Sequence, residues 1–156
     1  MDPRDFISLA LRLSNSQNEA DLRSAVSRAY YGAFHVARQF FFDVGLRWTR
    51  KESYAAEVHM KVRYCLSQAG EADALLASDQ LWSLRDLRNQ ADYDLDSTRF
   101  KSAARVATAV RIAPEVVDAI QRCRVEPVFT EAGDRIRKYA RDVLRINVEG
   151  EGPRHS

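Results

Sequence analysis

Apolar residues recur at helical intervals along most of this chain, with polar turns between the runs. The longest stripe comprises Leu22, Ala25, Val26, Ala29, Tyr30, Ala33, Phe34, Ala37, Phe40 and Phe41. It predicts one long helix, capped by Asn18 or Ser16, running to about Asp43 and ended by Gly45. The apolar face is wide, so this helix should be buried on more than one side. Ahead of it, Asp2 can cap a first helix, with Pro3 at the first helical position and Asp5 near the positive end of the dipole. The polar run SNSQN should end that helix near Ser14.

TRKE, Thr49 to Glu52, has capping-box spacing and opens a third helix that should end at Gly70. A fourth is expected from about Leu75 or Ser78 to roughly Asp92. A fifth follows the turn DLDST and meets Pro114, which removes a helical hydrogen bond and should kink or split the helix just before it. Thr130 can cap a sixth helix with Ile136, Tyr139, Ala140 and Val143 on one face. From Asn147 the tail NVEGEGPRHS has nothing to bury and reads as flexible over 147–156. Glycine and proline are few, six and four, which argues against a sheet protein. The expectation is an all-α bundle of five to six helices in a single domain over 1–146, with 130–146 read as an extra C-terminal helix.

A net charge of +2 is too small to predict nucleic-acid binding from bulk electrostatics. Arginine outnumbers lysine heavily; it suits bidentate phosphate or carboxylate contacts, and a GC-rich genome gives the same bias. Cys65 and Cys123 are far apart among helical apolar residues and read as buried free thiols in a reducing compartment. The N-terminal apolar run is broken by Arg12 and lacks a small-residue cleavage site, so neither a signal peptide nor a membrane span is expected there. These readings favour a cytoplasmic protein. Glycine-rich phosphate loops, HExxH and the serine-nucleophile elbow are missing, and no cofactor is expected. His35, His59 and His155 are scattered and pair with no second ligand at helical spacing, so each reads as structural or surface histidine and no metal site is expected.

Two segments carry unusual polarity. In SRAYYGAFHVARQFF the aromatics fall at core spacing, but Arg28 and His35 lie two turns apart on about one face with Tyr31 between them. That strip is either a solvated edge or one wall of a cleft. Gly32 in mid-helix costs about 1 kcal/mol against alanine, tolerable if another helix must approach closely. In LRDLRNQADYDL, Arg85, Arg88 and Asp92 share a face, and Arg88 and Asp92 can pair at i, i+4 for a few tenths of a kcal/mol. Asp92, Asp94 and Asp96 repel one another at a helix end whose dipole already disfavours anions. Local stability explains this segment badly. Capping aspartates, arginines paired with another helix, or a functional site remain the alternatives.

Taken in order on a helical chain of this length, the two segments resemble the HEPN family (higher eukaryotes and prokaryotes nucleotide-binding), in its small stand-alone prokaryotic branch. The resemblance lies in the Ser-Arg-x-Tyr-Tyr-x-x-Phe-His helix and the Arg-x-x-Ala-Asp-Tyr helix end, and covers about residues 5 to 123. It implies an up-and-down helical bundle, usually a homodimer, that works on or around RNA. Many such proteins are metal-independent endoribonucleases acting as toxins or defence effectors, often beside a nucleotidyltransferase-type antitoxin partner. Their site is an arginine followed after four to six residues by a histidine, completed by the second subunit. Arg88 matches that arginine, and Asn89 the polar residue that commonly follows. Tyr93 stands five residues after Arg88 and Asp92 seven after Arg85; no histidine follows at the family spacing. Arg88, Asp92 and Tyr93 are thus the candidate catalytic residues, with Arg85, Asn89, Arg28, Tyr31 and His35 as candidate RNA or nucleotide contacts. Some family toxins are modified on a tyrosine near this motif, but Tyr93 does not stand at their spacing. Cleavage would need a base for the 2′-hydroxyl and a cation for the phosphorane. Arg88 can be the cation. Tyr93, with an ordinary pKa near 10, is a poor base, and Asp92 would serve only with a raised pKa. His35 or His59 would have to enter from another helix. The alternative is a non-catalytic dimerisation or partner module of a toxin–antitoxin or defence system, in which the same charges form ion pairs between chains.

Overall fold

The long second helix, α2 (Glu19–Asp43), is the axis of the molecule and packs most extensively against five other helices. In this computed structural model, which describes residues 1–54 and 56–150, they are α1 (Arg4–Leu13), α4 (Val58–Ser67), α5 (Ala72–Tyr93), α6 (Ala103–Val110) and α7 (Ile112–Arg122). The short α3 (Arg50–Tyr54) and the C-terminal α8 (Val128–Asp142) complete the helical set among the described residues. The protein is mostly helical. Ala25, Ala29, Ala33 and Ala37 of α2 are fully buried beside Phe40 and Phe41, so the wide apolar stripe is covered on several sides as its pattern requires. Asn18 caps α2, its Oδ1 accepting from Ala20 N at 2.8 Å. Ser16 supports it, accepting from Asn18 N at 3.0 Å and donating to Asp21 at 2.7 Å.

Several local signals act as expected. Asp2 Oδ1 accepts from Arg4 N at 2.9 Å at the start of α1. The TRKE box closes in both directions, Thr49 N to Glu52 Oε2 at 2.7 Å and Glu52 N to Thr49 Oγ1 at 3.2 Å. Gly45 and Gly70 both adopt positive φ after helix ends. The fifth expected helix is split ahead of Pro114, between Val110 and Ile112. Pro114 then lies in the first turn of α7, where its missing N–H is not needed. Cys65 and Cys123 are buried free thiols, pushed up by burial to about 12 and about 11.

Five expectations need correction. The bundle has more segments than five or six, because the third and fifth expected helices are each two. The helix opened by TRKE runs only to Tyr54: Arg50 and Lys51 are exposed, and the buried stripe begins afresh at Val58, Val62, Cys65 and Leu66. The fourth helix starts a turn earlier than expected, at Ala72. Thr130 does not cap α8, which begins at Val128; Glu126 does that work, accepting from Thr130 N and from its hydroxyl. The tail also departs from its reading as far as residue 150. Asn147–Val148 (β2) pairs antiparallel with Leu46–Arg47 (β1), Val148 is buried, and Arg47 pairs with Glu149. A single apolar residue in NVEGEG is too little pattern to announce that pairing. Residues 151–156, with His155, lie outside the described residues.

Gly32 has a packing reason. A Cβ there would stand 2.5 Å from Ile7 Cγ1, 3.1 Å from Pro3 O and 3.2 Å from Ile7 N, two of them backbone atoms of the α1 segment. Gly32→Ala should therefore lower stability despite its better helix propensity. Overpacking costs about 1–3 kcal/mol against a propensity gain of about 1 kcal/mol. Urea unfolding checks this; a rise in midpoint would refute the close approach.

Candidate anion-binding site

The acidic end of α5 is held by a cation from α2. Arg23 Nη1 donates to Ala91 O at 3.0 Å and Asp94 O at 2.9 Å, and Nη2 donates to Leu95 O at 3.1 Å and Ser97 O at 3.0 Å. Its Nε donates to Glu19 Oε1 at 2.9 Å, and the guanidinium carbon stands 4.9 Å from the centre of the Phe100 ring. A partly buried guanidinium at a helix C-terminus satisfies carbonyls that the helix leaves open and favours the dipole. It also offsets the aspartates that made this helix end look unstable.

One turn further along α2, Ser27 Oγ donates to Asp92 Oδ1 at 2.5 Å; the other oxygen, Asp92 Oδ2, lies 2.9 Å from Arg88 Nε. That second contact is an ion pair whose N–H is not aligned as a hydrogen bond. Arg88 Nη2 donates to Tyr31 Oη at 2.5 Å and Nη1 to Asn89 Oδ1 at 2.9 Å. Its guanidinium also lies 5.2 Å from the Tyr31 ring centre and 5.6 Å from that of Tyr93. Arg88 is thus gripped from four residues, with 17% of its side chain exposed. Both Asp92 oxygens are taken up by donors, so its position suits orienting Arg88 better than receiving a proton.

Behind this network sits a pair that the spacing of the sequence does not announce. His59 of α4 approaches α2, and its Nδ1 lies 2.6 Å from Tyr30 Oη, with the Phe34 ring 4.5 Å from its own. Burial raises the Tyr30 phenol well above its usual value, although Arg85 and Arg88 pull it down. His59 is pushed down to about 4, first by burial and then by Arg85, Arg88, Arg38 and His35. A phenol that keeps its proton donates to Nδ1, which leaves the imidazole hydrogen on Nε2. In that tautomer His59 is a neutral N–H donor beside cations, not a free base.

The structure joins Tyr31, Arg88, Asn89, Asp92 and Tyr93 in one contact network. His35 extends it by stacking, its ring centre 6.5 Å from that of Tyr31, and its own value is lowered by burial and by Arg38. Arg28 turns instead to the Phe6 ring of α1, 5.6 Å from its centre. Arg85 faces the Trp82 ring at 4.9 Å. Sequence reasoning missed Arg23 and Ser27, read Tyr30 only as a core position, and weighed His59 only as a structural histidine or a base that would have to enter from another helix. Ser27 and Tyr30 flank Arg28 in the quoted motif, but only tertiary contact reveals their partners. Among the described residues no group of three or more His, Cys, Asp or Glu could hold a metal ion, and no helix is long and apolar enough to cross a membrane.

The fold and site together define a mostly helical protein with an arginine-centred cluster of donors suited to an anion. Compared with known proteins, the chain matches no family model, and no curated protein or solved structure matches it either.

Because the folded value of His59 lies below its unfolded one, the folded state binds fewer protons in that range. Its contribution to stability is complete above pH 6.5 and is lost as pH falls through about 4. Imidazole NMR should find His59 neutral down to that range, and His59→Gln should flatten the acid side of the stability profile. An ordinary His59 titration would remove this account of the Tyr30 pair.

Proposed function

We propose that this protein is a HEPN-like RNA-binding protein whose site holds RNA phosphate on Arg85 and Arg88. The observation that carries the reading is the direct bond between its two motif helices, Arg88 Nη2 to Tyr31 Oη at 2.5 Å, beside a His59 that burial first, and then Arg85 and Arg88, push toward its neutral form. Arg85 adds a guanidinium that has neither a carboxylate partner nor a side-chain hydrogen bond among the described residues. Phosphate oxygens suit such a cluster because the planar guanidinium can donate two parallel N–H bonds to two oxygens of one phosphate.

Binding is better supported than cleavage. The candidate bases are occupied: Asp92 by Ser27 and Arg88, His59 Nδ1 by Tyr30. Tyr93 is exposed, and a phenol is a poor acceptor of protons at neutral pH. A metal-independent endoribonuclease on this chain would draw its base from elsewhere, and the homodimer implied by the resemblance is the natural source. The same resemblance suggests a nucleotidyltransferase-type partner. The alternative, a non-catalytic module joined to partners by these charges, has less to work with, since Arg88 finds its carboxylate within its own chain.

Wild type and Arg88→Ala should be compared on total RNA and on tRNA without metal. The variant should bind about tenfold or more weakly, with a salt slope shallower by about 0.7 for each single-strand phosphate that Arg88 neutralises. Identical binding and identical cleavage by the two proteins would overturn the proposal.

A further inference from the structure

Arg63 of α4 stands outside every motif, yet its guanidinium carbon lies 4.3 Å from the centre of the Trp82 ring, and that of Arg85 lies 4.9 Å from the same centre. We infer that the phosphate track continues from Arg88 and Arg85 across Trp82 to Arg63, so that the ligand is a single-stranded RNA segment rather than a nucleotide. This rests on the function proposed above and names its substrate more closely.

Several arginines packed on this fold have a carboxylate. Arg23 has Glu19, Arg88 has Asp92, Arg122 has Asp73 and Arg124 has Asp43. Arg63 and Arg85 have none among the described residues, and neither makes a side-chain hydrogen bond there. The nearest acids on α5 face elsewhere. Asp79 and Asp86 are turned by roughly 100–120° from Arg85 around the helix, and Asp86 is occupied by Gln90 at 2.7 Å.

Sharing one ring centre places the two guanidiniums closer together than a Debye length, about 10 Å at 0.1 M salt. Their repulsion is therefore poorly screened, and contact with the indole face offsets only part of it. An anion bridging them relieves that repulsion. Trp82, Arg85 and Arg88 step along α5 at i, i+3 and i+6, with Trp82 and Arg88 about 9 Å apart along the axis, and Arg63 reaches the same indole from α4. One phosphate cannot occupy that length, whereas successive phosphates of a strand can. The exposed Tyr93 ring beside Arg88 supplies a face for a base, the pairing of basic groove and aromatic platform that single strands use.

The chain has two tryptophans, so Trp48→Phe leaves Trp82 as the only indole reporter. In that background, emission should be titrated with a short single-stranded RNA, with AMP and with inorganic polyphosphate. RNA should change Trp82 emission and bind more tightly than AMP. Arg63→Ala should weaken RNA about three- to tenfold and reduce the salt slope by about 0.7, leaving AMP unaffected. Arg63→Lys keeps the charge and should keep the slope, and unchanged circular dichroism shows that the fold is intact. If Arg63→Ala binds RNA like wild type while Arg88→Ala does not, the extension falls and the site stands. If neither variant matters, the site reading falls too. Polyphosphate binding as tightly as RNA, with the same change in Trp82, would overturn RNA as the ligand.

Discussion

The guanidinium of Arg23 holds the molecule's polar face in register. Without it, the last turn of α5 would present open carbonyls beside Asp92, Asp94 and Asp96, a combination that dipole and charge both disfavour. With it, four carbonyls from Ala91 to Ser97 converge on one partly buried cation of α2. Hydrogen bonds to a charged group are worth about 1.5–3 kcal/mol each in favourable cases, enough to fix how the two helices slide past each other. The contacts that follow are steps of an antiparallel ladder. As α2 advances through Arg23, Ser27 and Tyr31, α5 retreats through Asp94, Asp92 and Arg88. Arg88 is where it is because α5 is anchored one end away.

This ladder also explains why a segment that looks poor as an isolated helix end is ordered. Asp92 at a helix C-terminus is a liability by itself, but it is answered by Ser27 and Arg88. Gly32 has the same logic. Its helix cost is local, and the benefit appears only when α1 crosses α2 within a distance that no Cβ permits. Both features are frustrated locally and satisfied globally, a combination expected where a fold brings function-bearing helices together.

Legibility followed the range of the interactions. The α2 stripe, the Asn18 cap, the TRKE box and the break before Pro114 are written within a few residues of where they act, and all were readable. The Arg88–Asp92 pair was readable for the same reason, being i, i+4. Arg23 and His59 were not, since their partners lie 68 to 74 and 29 residues away and no periodicity encodes them. The β1–β2 pairing failed for want of length, two residues on each side. Thr130 misled because Glu126, which does the capping, reaches forward from outside the expected helix. Of the candidate site, the two motif helices and their polar residues are legible as a pattern, but the contact of His59 with Tyr30 is not.

The neutral Tyr30–His59 pair has a consequence for what the cluster can sense. Burial keeps the proton off His59 until conditions are strongly acid, and His35 is shifted in the same direction. The lasting positive charge there is that of the guanidiniums, which stay protonated throughout the physiological range. For an anion held as proposed, the donors are fixed charges, so ionic strength would act on its hold more directly than acidity does.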